Sequence, residues 1–182
     1  MTDLTVTRPL PSPVGSLTLV ASERGLRAVL WPVERPGRVR LDPAVEAPAG
    51  AEPVGADQQG AVAVLDRAQE ELGRYFDGSL TAFTVPCEPQ GSAFQREVWE
   101  ALAALPWGTT TTYAALAGTI GRPTAARAVG AAVGRNPLSI VVPCHRVVGR
   151  DGTLTGFAGG LEAKRWLLGH EGSLAPHLDL RA

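Results

Sequence analysis

TYAALAGTIGRPTAARAVGAAVGRN, running from Thr112 to Asn136, is the stretch on which the reading turns. Thr112 can cap a short helix over Tyr113–Ile120. Gly121-Arg122-Pro123-Thr124 supplies turn residues, and Ala125–Gly134 reads as a second helix broken by Asn136-Pro137. Two short helices joined by a Gly-containing turn of about four residues have helix-turn-helix spacing. The second helix is rich in Ala and Gly, so its outer face is small enough to enter a groove. Arg127 lies in its first turn and Arg135 just past its end. An ordinary helical hairpin packed through Ala and Gly fits the same letters, so the flanking segments must be read as well.

Downstream, Leu138–Val142 is a β-branched apolar run that reads as a buried strand cut off by Pro143. It leads into Cys144-His145-Arg146-Val147-Val148, a turn at Gly149–Gly152 and a Gly-rich loop at Leu154–Gly160. Leu161–His170 is a last helix carrying Leu161, Lys164, Trp166, Leu167 and Leu168, and a loose tail follows from Gly172. Upstream, Ser92 caps a helix that runs to about Leu105, with Phe94, Val98, Trp99, Leu102 and Leu105 at core-facing spacing. A domain boundary falls near Pro86–Gly91, where Pro, Glu and Gly cluster.

Residues 1–88 read as a small α/β domain. Ser16–Val20 and Leu26–Trp31 form a β-hairpin, and Ala61–Phe76 is a helix with Val62, Leu65, Leu72, Tyr75 and Phe76 on one stripe. Ala82–Val85 reads as a short strand, and residues 32–60 as a long Pro-, Gly-, Ala- and Glu-rich loop. The expected fold class is therefore α+β. Antiparallel strands plus a helix come first, and residues 89–182 form a mostly helical domain with the helix-turn-helix and a Pro-Cys-His-Arg segment.

Composition narrows the function. The 182 residues are 45% apolar and 19% charged, with a net charge of −1, so no overall basic field advertises nucleic acid. The charge is uneven: residues 1–90 hold 8 basic and 12 acidic side chains (net −4), and residues 91–182 hold 9 and 6 (net +3). Sixteen of the 17 basic residues are Arg, which suits phosphate contacts and equally a GC-rich genome. No apolar run approaches the ~20 residues of a membrane span, and no basic start with an apolar stretch marks a signal peptide. Two cysteines, Cys87 and Cys144, make no disulfide framework, and a reducing cytoplasm is the natural setting. The three histidines, at 145, 170 and 177, lie in the last quarter, which excludes a structural zinc site in the N-terminal half.

Cys144 carries the chemistry. Pro143 ends strand pairing before it, and two polar residues follow at once, so the position is not a uniformly apolar one. A cation near a thiol favours the nucleophilic thiolate. Cys87, between Pro86 and Glu88, has an acidic neighbour and reads as inert.

Pro143-Cys144-His145-Arg146-Val147 resembles the signature of the O6-alkylguanine-DNA alkyltransferases, the methylated-DNA–protein-cysteine methyltransferases. The resemblance extends through Phe94–Glu171: the Tyr113 helix, Ala126-Arg127-Ala128-Val129-Gly130, Asn136-Pro137, Gly159-Gly160-Leu161 and Trp166-Leu167-Leu168. In the N-terminal half it rests on Ser12-Pro13-Val14-Gly15 and Tyr75-Phe76-Asp77-Gly78. It implies direct reversal of O6-alkylguanine, with O4-alkylthymine as a second candidate, in double-stranded DNA approached through the minor groove. The nucleotide is flipped out, because the alkyl group is otherwise buried in the stack.

Residue by residue, the resemblance makes Cys144 the alkyl acceptor and His145 its base through a water, since adjacent side chains on an extended segment point apart. Glu171 orients His145, and Asn136 braces the active-site turn. Tyr113 pushes the 3′ phosphate and can hydrogen-bond guanine N3. Arg127 is the finger that fills the gap left by the flipped nucleotide. Ala126, Gly130 and Arg135 complete the DNA-facing set, and Arg146 ties down local structure or DNA backbone. Val147, Ser139, Phe157 and Ala158 line the base pocket. Phe157 lacks the hydroxyl of a tyrosine, Ser139 stands where some relatives have proline, and Ala158 where some have serine. The product is a thioether with no hydrolytic exit, so the protein is consumed in one turnover. The resemblance implies no metal or organic cofactor and a monomer, with cooperative binding on DNA as a further expectation.

Three other readings compete. An alkyltransferase-like lesion sensor would lack the cysteine, and Cys144 is present. A regulator using the helix-turn-helix would need a further module. A thiol hydrolase would need an acyl pocket and a better dyad than adjacent Cys-His.

Overall fold

The structure, a computed structural model, describes residues 5–39 and 58–173. The chain divides into two compact units, Met1–Gln90 and Gly91–Ala182. The architecture is mixed α+β.

In the first unit, β1 (Val6–Leu10), β2 (Leu17–Ser22) and β3 (Gly25–Leu30) form an antiparallel sheet in the order β1-β2-β3. Leu17, Leu19, Val20, Leu26, Ala28 and Val29 have no exposed surface. β1 had no counterpart in the sequence reading. Its five residues are half polar and contain Pro9, which is tolerated because β1 is an edge strand. Helix α1 (Gln59–Phe76) packs on the sheet through Ala61, Val64, Leu65, Ala68, Leu72 and Tyr75. The buried stripe is thus rotated slightly from the expected one, and Val62 and Phe76 sit at its half-buried margins. Gly60 lies in the first turn of α1 and is not part of a loop. The rest of the expected 32–60 loop falls largely on residues 40–57, outside the described residues.

Ala82–Val85 is not a strand. Its backbone is captured by a buried carboxylate instead. Glu71 accepts hydrogen bonds from the Thr84 N–H (2.8 Å), the Val85 N–H (3.0 Å), the Thr84 hydroxyl and Arg67 Nε (3.1 Å). Burial alone would raise its pKa, but these donors outweigh it and hold the carboxyl below the ordinary value. Pairing resumes at Cys87, which bridges Leu26. Gly25 allows that approach, because a Cβ there would lie 2.8 Å from the Pro86 carbonyl oxygen.

In the second unit, Ser92 caps α2 (Ala93–Ala103) in a capping box with Gln95. Thr112 caps α3 (Tyr113–Thr119) by accepting from the Ala115 N–H. α4 (Ala126–Val133) packs against α2 and α3, and buried Trp99 pins it by donating from Nε1 to the Ala132 carbonyl at 2.9 Å. Two-residue strands β4 (Thr111–Thr112) and β5 (Val147–Val148) pair in parallel, Thr111 with Val147 and Thr112 with Val148. They set the start of α3 beside the segment that follows Cys144. α5 (Gly160–His170) closes the unit, and the expected tail lies outside the described residues beyond Ser173.

Leu138–Val142 is buried as expected, but it is a tight turn and not a strand. The Val142 N–H donates to the Leu138 carbonyl at 2.7 Å, and Ile140 has φ 76°. A β-branched residue in the left-handed region is strained by about 1–3 kcal/mol and must be held. Asn136 holds it: its Nδ2 donates to the Val142 carbonyl (2.8 Å) and its Oδ1 accepts from the Leu138 N–H (3.0 Å). A side-chain amide here replaces a neighbouring strand.

The Glu71 arrangement yields a stability test. Glu71→Ala leaves two backbone N–H groups without their acceptor and should cost about 1–3 kcal/mol. Urea unfolding of the variant checks it, and an unchanged midpoint would remove Glu71 from the scaffold.

Candidate active site

Cys144 opens a 3-10 turn, Cys144–Arg146, all three residues of which are buried. The segment is therefore not extended, as the sequence reading assumed. Pro143 starts the turn, and the Arg146 N–H closes it on the Pro143 carbonyl at 3.0 Å. Side chains in such a turn are spaced by about 120°, so Cys144 and His145 still project apart.

His145 has no exposed surface, and its Nε2 lies 2.8 Å from Glu171 Oε1. Arg146 grips the same carboxylate with Nε to Oε2 (2.7 Å) and Nη2 to Oε1 (2.9 Å), and donates a third bond to the Leu105 carbonyl. Burial alone would raise the Glu171 carboxyl, but its bonds from His145 and Arg146 bring it down to about 2. It is therefore a carboxylate that only accepts hydrogen bonds. Burial drives the His145 pKa below its ordinary value against the pull of Glu171, so the ring is neutral near pH 7. A neutral ring bonded to an acceptor must carry its proton on Nε2. Nδ1 is then a lone pair, and it is buried with no hydrogen-bond partner among the described residues. The arrangement can accept a proton at Nδ1 beside a cysteine.

The remaining site residues fall into two groups. Around the turn, Val147 and Ser139 have no exposed surface, and Asn136 braces the segment leading to Cys144. Phe157 is half-buried, its ring edge-on to His145 with centroids 6.4 Å apart, and Ala158 is half-buried beside it. The second group faces outward. Arg127 is exposed on α4, Arg135 is exposed just after it, and Ala126 and Gly130 are half-exposed on the same helix. Tyr113 connects the groups. A Cβ added to Gly130 would lie 3.5 Å from Tyr113 Cδ1, and the Tyr113 hydroxyl meets Thr155 Oγ1 at 2.9 Å. Arg122, in the α3–α4 connection, pairs with Glu97 (3.1 Å) and lies over the Phe94 ring (5.6 Å). Among the described residues no group of three or more His, Cys, Asp or Glu is placed to hold a metal ion.

Residues 93–173 match the family described as 6-O-methylguanine DNA methyltransferase, DNA binding domain. A Salmonella typhimurium methylated-DNA–protein-cysteine methyltransferase is 47% identical over 167 residues, 91% of this chain and 94% of that one. The chain belongs to the methylated-DNA–protein-cysteine methyltransferase family. A relative from Mycobacterium bovis is 41% identical over 93% of both chains. Among solved structures, Mycobacterium tuberculosis OGT in complex with DNA superposes with a TM-score of 0.74 at 38% identity, covering 92% of each chain. The O6-methylguanine methyltransferase of the same organism gives 0.73 at 39% identity, over 95% of this chain and 96% of that one.

Within this methyltransferase frame, two residues escaped the sequence reading. Lys164 is 1% exposed, and its Nζ donates to the Val147 carbonyl (2.6 Å) and the Thr155 carbonyl (2.9 Å). Burial pushes its ammonium down to about 8, a shift opposed by its attraction to Cys144. The signal was available: the only lysine of the chain sits on the apolar stripe of α5. Thr155 had no signal, because only the fold brings it to Tyr113. Gly108 is also required. It has φ 73°, and a Cβ there would sit 3.0 Å from the Glu171 backbone carbonyl oxygen.

Cys87 is exposed at the surface. Partial desolvation of its sulfur and then the charge of Glu71 push its thiol up to about 11. The acidic influence is thus Glu71 and not Glu88, which is engaged by Ser22 (2.7 Å), Arg27 (3.0 Å) and Arg24.

Acid should act through the buried cluster. Glu171 titrates below the unfolded value in the folded chain, so its stabilisation is complete above pH 4.5 and is lost as pH falls toward about 2. His145 is also lowered, so the unfolded chain protonates first and stability begins to decline below about pH 6.5. Urea midpoints from pH 7.5 to 3 should show both. Glu171→Gln should lose about 3–5 kcal/mol at pH 7 through the stranded Arg146 charge, with a flatter decline below pH 4.5. An unchanged slope would place the acid sensitivity elsewhere.

Proposed function

We propose that the chain repairs DNA by transferring the alkyl group of O6-alkylguanine irreversibly to Cys144. The observation that carries this reading is the buried His145–Glu171 pair with its unpartnered Nδ1, on the turn that Cys144 opens. In the proposed step His145 takes the thiol proton through a water, and Glu171 stabilises the imidazolium. The sulfur attacks the alkyl carbon, the S–C bond forms as the C–O bond breaks, and guanine departs with the electron pair and is reprotonated. The thioether has no hydrolytic exit, so each molecule acts once. O4-alkylthymine offers the same exocyclic ether and belongs in the same assay.

Cys144 is only 6% exposed, and a base stacked in a duplex cannot reach it. The substrate nucleotide must therefore be flipped, at a cost of a few kcal/mol. We assign α3 and α4 to a helix-turn-helix lying in the minor groove, its α4 face kept low by Ala126 and Gly130. Arg127, which makes no ion pair among the described residues, fills the vacated space. Arg135 meets a phosphate, and Tyr113 assists rotation and donates to guanine N3. The groove offers a degenerate code, which suits inspection of any sequence. Asn136 braces the turn, and Val147, Ser139, Phe157 and Ala158 bound the base. The protein works as a monomer in the cytoplasm, with cooperative loading on DNA to be tested by titration. No helix among the described residues is long and apolar enough to cross a membrane.

Intact-mass measurement after incubation with O6-methylguanine duplex tests the reaction. One added methyl per chain, mapped to the Cys144 peptide, is expected. Cys144→Ser should abolish the transfer and keep DNA binding, whereas methylation of that variant would move the acceptor, with Cys87 the only other thiol.

Arg127→Ala should slow repair of duplex DNA at least ~10-fold more than reaction with free O6-methylguanine, because only the duplex needs its gap held. Equal losses on both substrates would make Arg127 a structural residue.

A further inference from the structure

A continuous set of hydrogen bonds links the Cys144 turn to the first residue of α3. Lys164 Nζ, fully enclosed, donates to the Val147 carbonyl at 2.6 Å and to the Thr155 carbonyl at 2.9 Å. Val147 directly follows the Cys144–Arg146 turn. The ammonium therefore fixes the backbone of Thr155 relative to that turn. The Thr155 hydroxyl in turn meets the Tyr113 hydroxyl at 2.9 Å, and the Tyr113 ring faces Gly130 of α4, where an added Cβ would lie 3.5 Å from Cδ1. Thr155 is half-buried on a loop that has no helix or strand of its own, so its own backbone does not otherwise explain where its side chain points.

We propose that Thr155 is a positioning residue for the reaction, aiming the Tyr113 hydroxyl at the flipped guanine. This rests on the role given to Tyr113 above. A hydroxyl has one proton and two lone pairs. If Thr155 donates to Tyr113 Oη, the phenolic proton is left over and points away from Thr155. Tyr113 is then an oriented donor, its O–H polarised by the bond it accepts. A donor held in place stabilises negative charge developing on the leaving guanine without reorganising when the base arrives. Lys164 keeps the aim true by anchoring Thr155 to the segment that carries the nucleophile.

The test compares Thr155→Val, Thr155→Ser, Tyr113→Phe and the Thr155→Val/Tyr113→Phe double variant. The rate constant for methyl transfer from an O6-methylguanine duplex is followed by intact mass, and thermal unfolding is recorded for each. Thr155→Val should lower the rate about five- to tenfold, the worth of one well-aimed hydrogen bond. Thr155→Ser, which keeps the hydroxyl, should restore it, and Thr155→Val should cause no further loss once Tyr113 is Phe. Three outcomes overturn the proposal. Wild-type rates in Thr155→Val alongside an impaired Tyr113→Phe would remove Thr155 alone. An equal Thr155→Val loss in both backgrounds would mean that it acts through the fold. An unimpaired Tyr113→Phe would remove the role of Tyr113 itself.

Discussion

One carboxylate organises the second unit. Glu171 sits at the end of α5 and is shared by His145 and Arg146, neighbours on a turn 25 and 26 residues earlier. A buried anion is tolerable only when nearly every lone pair is met, and here a fork from Arg146 and a ring N–H from His145 meet them. The same contact explains several local features. Arg146 is inside because it completes the charge balance and reaches the Leu105 carbonyl after α2. His145 is neutral because burial outweighs the pull of Glu171, and its tautomer is defined because that partner only accepts. The feature that makes the cluster chemically useful and the feature that makes it costly to break are one interaction.

The sequence made regular elements legible where the pattern was local. α2 and α3 follow from capping residues and spacing, α4 and α5 from spacing and flanking breakers, and each lies within two residues of its expected ends. Two expected strands were wrong for a common reason. Leu138–Val142 and Ala82–Val85 are short apolar runs, and β propensity describes how such residues pack and not which group accepts their N–H bonds. In both places a side chain took over that role: Asn136 in the first, Glu71 in the second. The bonds are made to polar residues 2 and 13–14 positions away, and no periodicity reports them. β1 was missed because an edge strand with Pro9 and polar residues carries little alternation.

The site was legible in proportion to sequence separation. Cys144, His145 and Arg146 announce themselves as neighbours, whereas the brace role of Asn136 came from the resemblance. Glu171 entered only through resemblance, since a lone helix-end glutamate has no pattern that points to a histidine 26 residues before it. Thr155 makes its bond to a hydroxyl 42 residues away, which leaves no compositional trace. Lys164 is the instructive case: an Arg-rich chain places its one lysine where a compact ammonium must reach two carbonyls in a dry space. A planar guanidinium is wider and presents its donors in a fixed fork, so the residue type itself carries the geometry.

A chain with net charge −1 that acts on DNA must concentrate its positive charge, and the structure limits where. The second unit has a surplus of three, yet Arg146 is consumed by Glu171 and Arg122 is paired with Glu97 and stacked on Phe94. Arg127 and Arg135 remain exposed on and beside α4. With so few free cations on that face, only a few phosphates can be neutralised, and the proposed binding owes little to counterion release at ~0.9 ions per phosphate. On the proposed reading, affinity would then come from close contact, for which small residues at Ala126 and Gly130 leave room. Weak, local, sequence-indifferent attachment would also suit the proposed single-use transfer, in which the chain would leave undamaged DNA easily and commit only where a base is drawn toward Cys144.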